Sequence, residues 1–460
     1  THSPRPEDLQ SVLANLQTKP SPPIMMGGKL VQRSIGHLRQ DVLNQLRQVT
    51  PPGKQPRLAQ PDSDTMELVG MLFEHLARDH KPTLAVQELL TRMQVPLLRV
   101  ALRDRTFFTR RSHPARQLLN MVAEAGVYWL DDEADDKALL EKMRLVVDRV
   151  SHEYSDDIGV FDELAGDFSK HLGTMARKSD LAERRHVDAA RGREKLDVAR
   201  TTAAQAIRTT IGDRRPPALV RTLLEQAWTD VLALTLLRQG EDSDIYRRRV
   251  QVAERLIDAT LQGAGRTQPS ASEANALQHE IEAGLSHVGY HVDDVRSVVG
   301  RFFGGSTGMS VANEEAASAT ELAMKLKARA RLGVDTAIET GKRDARAKIH
   351  PPLDAEEQRL LERLKSVPFG TWFEFEANQQ GDKVRRKLSW FSPLTGRCLF
   401  VNQRGLRADE KTLEQLARDI MKRRVSVVEA PKDSMIDRAW NAIVSTLKQF
   451  AGGDAQPKSA

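Results

Sequence analysis

The spacing of apolar residues divides the chain into a long helical part and a short C-terminal part. From Asp64 to about residue 303, apolar residues recur every three or four positions, as at Leu68, Leu72 and Leu76, and this spacing predicts amphipathic helices. Near residue 368 the period changes to alternation, which predicts strands. The sequence therefore predicts a mainly α fold: a multi-helix bundle or stack, followed by a small β-barrel-like domain and a terminal helix.

The C-terminal part is predicted to contain four strands and one helix. The strands are rich in aromatic and β-branched residues and lie in "GTWFEFEA", "KVRRKLSWF", "RCLFVNQ" and "RRVSVVE". The helix, "ADEKTLEQLARDIMK", lies between the last two strands.

Changes in composition predict five regions along the chain. The start is rich in Pro, Ser and Gln and has too little apolar surface to offset the entropy of ordering it, apart from one short helix. A Gly/Ser/Ala-rich stretch near 304–320 has the composition of a linker. The predicted regions are a mobile arm with a short helix at 1–61, a helical scaffold domain at 62–303, a linker and connecting helix at 304–352, a β domain with one helix at 353–430, and a C-terminal helix and tail at 431–460.

Composition and charge exclude several classes of protein. The 460 residues include one cysteine, Cys398, so an internal disulfide framework and an all-cysteine zinc site are excluded. No apolar run approaches the ~18–20 residues that a membrane span needs. The net charge of +6 is modest for this length. We therefore expect a cytoplasmic protein, and the absence of an initiator Met indicates a fragment of a longer one.

The histidines and acidic clusters do not form a catalytic or metal-binding pattern. His113 has no cysteine or G-x-S-x-G serine motif beside it, and it precedes Pro114 at a predicted helix start. His287 and His291 have helical spacing but lack the glutamate of H-E-x-x-H. The acids at 131–136 are expected to stabilise a helix N-terminus. We therefore predict no metal, no cofactor and no enzymatic activity.

The stretch "ERRHVDAARGREKLDVAR" has two interpretations. Its basic residues are balanced by Glu183, Asp188, Glu194 and Asp197, and pairs of opposite charge at i, i+4 predict a solvated or helix-packing face. A basic helix that binds nucleic acid is the alternative.

A basic and aromatic segment between Lys383 and Ala408 is the main candidate binding site. It contains seven basic residues and no acidic one, interleaved with Trp390, Phe391 and Phe400. Guanidinium groups bind phosphate oxygens and stack on bases, which favours a nucleotide or single-stranded nucleic acid. In the alternative, the aromatic residues fill the core and the arginines protect a strand edge. The candidate nucleotide-binding residues are Arg385, Arg386, Lys387, Ser392, Gly396, Arg397 and Arg404.

Four segments together resemble a large bacterial family of uncharacterised proteins, found mainly in gammaproteobacteria. They are "QVPLLRVALRDRTFFTRRSHPARQLLN", "ERRHVDAARGREKLDVAR", "LLEQAWTDVLALTLLRQGEDS" and "KLSWFSPLTGRCLFVNQRG". The C-terminal part is similar to PilZ domains, a resemblance that implies binding of cyclic di-GMP by an R-x-x-x-R motif and a [D/N]-x-S-x-x-G turn. Here Arg385 and Arg386 lack that spacing, and Ser392 and Gly396 match the turn in residue type only.

Three functions remain open from the sequence. The first is a non-catalytic signalling or adaptor protein whose divergent PilZ-like domain binds cyclic di-GMP or a related nucleotide. The second is a protein–protein interaction scaffold with a degenerate barrel that binds no nucleotide. The third, less favoured, is nucleic-acid binding, for which affinity would fall steeply with salt.

Overall fold

The computed structural model describes most of the chain between residues 3 and 453. The residues within that span that it does not describe are 20–23, 28, 32, 52, 80–81, 131–135, 262–268, 291–292, 294–295, 297–298, 301–351, 378–380, 382 and 430–431. The predicted linker and connecting helix, His291 and the acids at 131–135 lie outside the described residues.

The first group of helices packs around one apolar core. The helices are Pro6–Thr18 (α1), Ile35–Val49 (α2), Gln60–Asp79 (α3), Leu84–Arg103 (α4), Thr106–Thr109 (α5), Pro114–Tyr128 (α6) and Asp136–Glu153 (α7). A two-stranded hairpin, Ile24–Met26 (β1) and Lys29–Val31 (β2), lies between α1 and α2. Fully buried Leu72, Met93 and Leu118 show how the predicted helical spacing turns one apolar face of each helix inward.

The structure differs from the predicted mobile arm at 1–61. Leu13 and Val42 are both completely buried, so α1 and α2 belong to the first core. The side chain of Gln17 donates to the backbone oxygens of Ser151 (2.9 Å) and Tyr154 (3.0 Å), which ties α1 to the end of α7. Burial of the apolar face of α1 offsets the entropy lost when this segment is ordered, which the Pro-rich composition did not predict.

One long helix, Gly159–Ile211 (α8), connects two cores. Its 53 residues extend over about 80 Å. Phe161 and Phe168 pack in the first core, whereas Ala203 and Ile207 pack in a second core. Between Phe168 and Ala199 only Ser179 is buried, so the middle of α8 joins neither core.

The second core is built from the C-terminal end of α8 and the helices that follow. These are Ala218–Thr222 (α9), a π-helical turn at Leu223–Trp228, Thr229–Gln239 (α10), Asp244–Thr260 (α11) and Ala271–Val288 (α12). Trp228 lies at the centre and donates its indole N–H to the backbone oxygen of Arg249 (3.0 Å). Gly284 on α12 allows close packing against the Trp228 ring, because a Cβ there would lie 2.8 Å from it.

The C-terminal sheet contains five antiparallel strands. The elements are Ala355–Lys365 (α13), Trp372–Glu376 (β3), Lys383–Phe391 (β4), Arg397–Val401 (β5), Arg407–Thr412 (β6), Leu413–Met421 (α14) and Val425–Val428 (β7). The strand order is β6-β5-β4-β3-β7, so the last strand lies beside the first. The predicted mainly α class with a small C-terminal sheet and a terminal helix is confirmed. The sequence assigned β6 to the start of a helix, because its polar residues show no alternation.

The terminal helix, Met435–Gly453 (α15), returns to the first core. Ile436 and Ile443 are buried there, and Trp440 stacks on Phe108 with ring centroids 5.1 Å apart. Asp437 forms an ion pair with Arg116 of α6, and both side chains are nearly buried. Among the described residues, no helix combines the length and apolar character needed to cross a bilayer.

Candidate interaction interface between the sheet and helix α8

The two faces of the C-terminal sheet contact different helices. Phe373, Leu388 and Phe400 point to one face and form a core with α13 and α14. Residues next to them in β4 and β5 point to the opposite face, because side chains alternate along a strand. This opposite face packs against the middle of α8, where Trp390 is only 9% exposed. The sheet is therefore covered on both sides.

Glu183 of α8 makes two contacts with strand β4. Its carboxylate forms an ion pair with Lys387 Nζ (2.5 Å) and accepts a hydrogen bond from the hydroxyl of Ser389 (2.6 Å). The side chains of Glu183 and Lys387 are only 17% and 20% exposed. Because both groups are partly removed from water, this pair is less screened than an ion pair on an open surface.

Glu194 and Asp197 contact the turn between β4 and β5. The hydroxyl of Ser392 donates to Glu194, and Arg397 Nη2 lies 3.1 Å from Asp197 Oδ2. The same hydroxyl of Ser392 accepts the backbone N–H of Thr395 (2.9 Å) and so shapes the turn. Gly396 completes the turn at φ +67°, a backbone region that favours glycine.

The loop between β5 and β6 lies directly on the α8 backbone. The hydroxyl of Ser179 donates to the backbone oxygen of Gln403 (2.8 Å). Asn402 Oδ1 accepts the backbone N–H of Arg404 (3.0 Å) and holds the loop in shape. Gly405 has φ +73°, and a Cβ at this position would overlap the carbonyl of Ser179. A glycine is needed here both for the turn and for the close approach.

Arg385 and Arg386 do not contact α8. Arg385 lies over the Tyr128 ring at the end of α6, 5.1 Å from its centroid, and its Nε lies 3.5 Å from Glu374 Oε1. Arg386 is paired with Phe373 in the sheet register and donates to the backbone oxygen of Arg385 (3.1 Å). The two adjacent arginines therefore point to different faces of the sheet.

The candidate nucleotide-binding residues are not gathered at one point. Lys387 contacts Glu183, whereas Arg397 contacts Asp197, and fourteen helical residues correspond to about 21 Å. The four residues Lys387, Ser392, Gly396 and Arg397 all lie at or beside the interface with α8. Their role in binding a nucleotide stays a prediction. The four contacts that the α8 carboxylates make with the sheet were not predicted, because the sequence analysis assigned these acids to ion pairs within the helix.

Two side chains of the β domain have pKa values shifted by their surroundings. Burial raises the pKa of the Cys398 thiol to about 12, which leaves it protonated and unreactive. Burial opposes ionisation of Glu374, but Lys383 and Arg385 together hold the pKa of its carboxyl below its usual value. In the part of the chain that the structure describes, no cluster of three or more His, Cys, Asp or Glu side chains has a metal-binding arrangement.

Two of the three histidines considered from the sequence, His113 and His287, lie in the described residues and have structural contacts. His113 is 2% exposed, and its Nδ1 accepts the backbone N–H of Ala115 (3.2 Å) at the start of α6, as a helix cap does. His287 Nε2 lies 3.0 Å from Arg238 Nη1.

The fold is a helical scaffold that carries a small C-terminal β domain packed against helix α8. Residues 3–157, 189–302 and 359–428 match the second domain, the third domain and the C-terminal tudor domain of "Protein of unknown function (DUF1631)". The chain belongs to the DUF1631 family. This confirms the resemblance to a family of unknown function and describes the sheet as a tudor domain instead of a PilZ domain. No curated protein and no solved structure matches the chain.

Proposed function

We propose that this protein is a non-catalytic adaptor whose tudor-like domain binds an acidic segment of a partner protein. The partner would occupy the sheet face that α8 covers in this structure. The observation that supports the proposal is the set of three α8 carboxylates, Glu183, Glu194 and Asp197, each in contact with a cation or hydroxyl of the sheet. In effect, α8 acts as an internal ligand and indicates the chemistry that the face accepts.

The contacts are spread out, as expected for a polypeptide ligand. Lys387 and Ser389 lie at one end and Ser392 and Arg397 at the other, about 21 Å apart along the helix axis. A helix or extended peptide can contact both ends at once, because it presents carboxylates at intervals. A compact anion would contact only one end.

The contact at the Arg397 end of the interface is weak enough to be exchanged. Arg397 and Asp197 are 35% and 27% exposed, and an ion pair of this kind contributes about 0–1 kcal/mol. An acidic partner segment can therefore compete with α8 for the sheet, at the cost of separating the two parts of one chain. The docked state would be the resting form of the adaptor, and the released state would bind the partner.

The test uses the full chain and a labelled peptide with the sequence of residues 179–198. In the unmodified protein, α8 competes at an effective concentration on the order of millimolar, so the peptide should bind poorly. A Glu183→Gln/Asp197→Asn variant weakens docking and should bind the peptide at least about tenfold more tightly. Adding Lys387→Ala to that variant should remove the gain. Fluorescence anisotropy gives all three affinities.

Two controls make the result specific. Asp188→Asn removes a carboxylate from the exposed side of the same helix and should leave peptide binding unchanged. A peptide with amides in place of the three interface carboxylates should not bind to any variant. We call Glu183→Gln/Asp197→Asn the released variant. Equal binding of both peptides to the released variant would contradict the proposal, because peptide binding would then not depend on carboxylate recognition.

Binding of cyclic di-GMP, and with it a signalling role, is the second candidate and rests on the resemblance to PilZ domains. A cyclic dinucleotide on this face would have to replace α8 at Arg397. Calorimetric titration of cyclic di-GMP into the unmodified chain and the released variant separates the two functions. Saturable heat that Arg397→Ala abolishes would favour the nucleotide; absence of heat together with peptide binding would favour the adaptor.

A further inference from the structure

The charged residues of α8 are divided between two sides of the helix. Glu183, Glu194 and Asp197 are partly buried against the sheet. Between residues 170 and 198, eight basic residues are exposed and only two acidic ones, Asp180 and Asp188. The exposed basic residues are Lys170, Arg177, Lys178, Arg184, Arg185, Arg191, Arg193 and Lys195. The sequence of this segment is nearly balanced in charge, but its exposed surface is strongly basic.

Three of these arginines form a stripe along the helix axis. Arg177, Arg184 and Arg191 are seven residues apart, which is close to two helical turns, so successive side chains lie within about 20° of one another. The stripe is about 21 Å long, with a guanidinium group every ~10 Å. Within the described residues, none of the three has a carboxylate within ion-pair distance; Arg177 donates to the hydroxyl of Thr174 (3.3 Å). We call this set the arginine stripe.

We infer that the arginine stripe binds the phosphate backbone of double-stranded nucleic acid. Five of the eight exposed basic residues are arginines, whose planar guanidinium groups match phosphate oxygens in a bidentate geometry. A duplex carries one negative charge per ~1.7 Å of its axis, so it offers phosphates along the whole length of the stripe. The inference goes beyond the proposed adaptor function, because the arginine stripe lies roughly 100° around the helix axis from the residues that contact the sheet.

The composition of this surface decides between kinds of partner. No Phe, Trp or Tyr lies between residues 169 and 200, so no ring can stack on the bases of a single strand. The exposed apolar residues, Leu181 and Val198, are far apart on the helix and do not form the continuous apolar face that membrane insertion requires. For the same reason, this surface of α8 lacks the apolar centre that a protein–protein interface has. A regular array of phosphates can bind to such a surface, because it requires neither aromatic rings nor an apolar face.

Binding to a duplex should be electrostatic and independent of sequence. Each neutralised phosphate releases a counterion, and the slope of log K against log salt is about −0.9 per phosphate. Removing three arginines should therefore reduce the slope by about three. The loss of affinity should be more than about tenfold at roughly 100 mM salt.

The experiment measures anisotropy of labelled DNA and RNA duplexes of about 30 base pairs, between about 50 and 200 mM KCl, with the full chain. The stripe variant is Arg177→Gln/Arg184→Gln/Arg191→Gln. The matched control, Arg221→Gln/Arg247→Gln/Arg255→Gln, removes the same charge from arginines that are 57%, 63% and 46% exposed elsewhere. All six positions are exposed, so circular dichroism and the unfolding midpoint should be unchanged in both variants.

The expected result is loss of duplex binding in the stripe variant and its retention in the control. The inference would be overturned by three outcomes: no duplex binding at the lowest salt, an equal loss in the control, or an equal stripe-dependent affinity for phosphatidylserine vesicles. The second would assign the effect to net charge, and the third would assign the stripe to a membrane surface.

Discussion

Substitution of Gly405 by alanine gives the most direct test of the docking between the sheet and α8. Gly405 has φ +73°, and an added Cβ would overlap the carbonyl of Ser179 and lie within 3.0 Å of the backbone nitrogen of Glu183. Backbone atoms inside a helix cannot move aside as a flexible side chain can. The loop that carries Gly405 must therefore separate from α8 in the variant.

The size of the effect follows from the contacts near this point. An alanine in the left-handed region costs about 1–2 kcal/mol in any loop. Separation also breaks the Ser179–Gln403 hydrogen bond and the two contacts of Glu183, each worth about 1 kcal/mol. Docking should weaken by about 3 kcal/mol, which is a shift of roughly a hundredfold in its equilibrium constant.

Gly396→Ala is the matched control, because Gly396 also has positive φ (+67°) but nothing nearer than 4.0 Å to its added Cβ. Hydrogen exchange is measured on the α8 peptide that spans residues 179–197. In parallel, a thiol reagent reports on Cys398, the single cysteine of the chain, which is 2% exposed. We expect faster exchange of α8 in Gly405→Ala alone, with Cys398 protected in both variants.

Two results would refute the reasoning behind this prediction. If Gly405→Ala and Gly396→Ala gave the same exchange in α8, the loop would not approach the helix as closely as the structure places it. If Cys398 became reactive in Gly405→Ala alone, the β domain itself would have unfolded. In that case the sheet would depend on α8 for its stability, and docking would not be a separable step.

Three further predictions concern the helical cores. Asp437→Ala leaves a buried arginine unpaired and should lower the free energy of unfolding by about 3–5 kcal/mol in urea titration, whereas an effect below about 1 kcal/mol would contradict burial of the pair. Burial lowers the pKa of His113 in the folded chain, so the unfolded chain takes up a proton at higher pH than the folded chain does. Stability should therefore fall as pH drops below about 6.5. His113→Asn keeps an acceptor for the helix cap and should reduce that fall. An unchanged pH dependence in that variant would assign the effect to other groups. Gly284→Ala places a methyl group against the ring of Trp228 and should lower the melting temperature, at a cost of about 1–3 kcal/mol; a neutral result would show that the ring can move.

Much of the helical part could be predicted from local sequence, because its signals act over one or two turns. Pro114 begins α6 as expected, and the apolar spacing at Leu68, Leu72 and Leu76 predicts helix α3. The fourth strand, β6, was missed for a physical reason. "RADEKT" lies at the edge of the sheet, where its side chains need not alternate between core and solvent.

The interface between α8 and the sheet could not be predicted from local sequence patterns. Glu183 and Lys387 are about 200 positions apart, and the acids of α8 have neighbouring bases that explain their presence equally well. The one local signal was Gly405, since a glycine in a basic loop indicates a tight turn or a close approach of another backbone. A sequence pattern can show that such a glycine is required, but it cannot identify the backbone that approaches it.

The return of the terminal helix to the first core has a consequence for how the protein is made. Ile436 and Ile443 complete an apolar core whose other members end near Met175. At about 5–20 residues per second, the roughly 260 residues in between take on the order of 13 to 50 s to synthesise. During that time the site that Trp440 fills beside Phe108 stays open. We expect the nascent chain to present this incomplete apolar surface to chaperones at the ribosome, and the first core to complete its folding only after α15 has been synthesised.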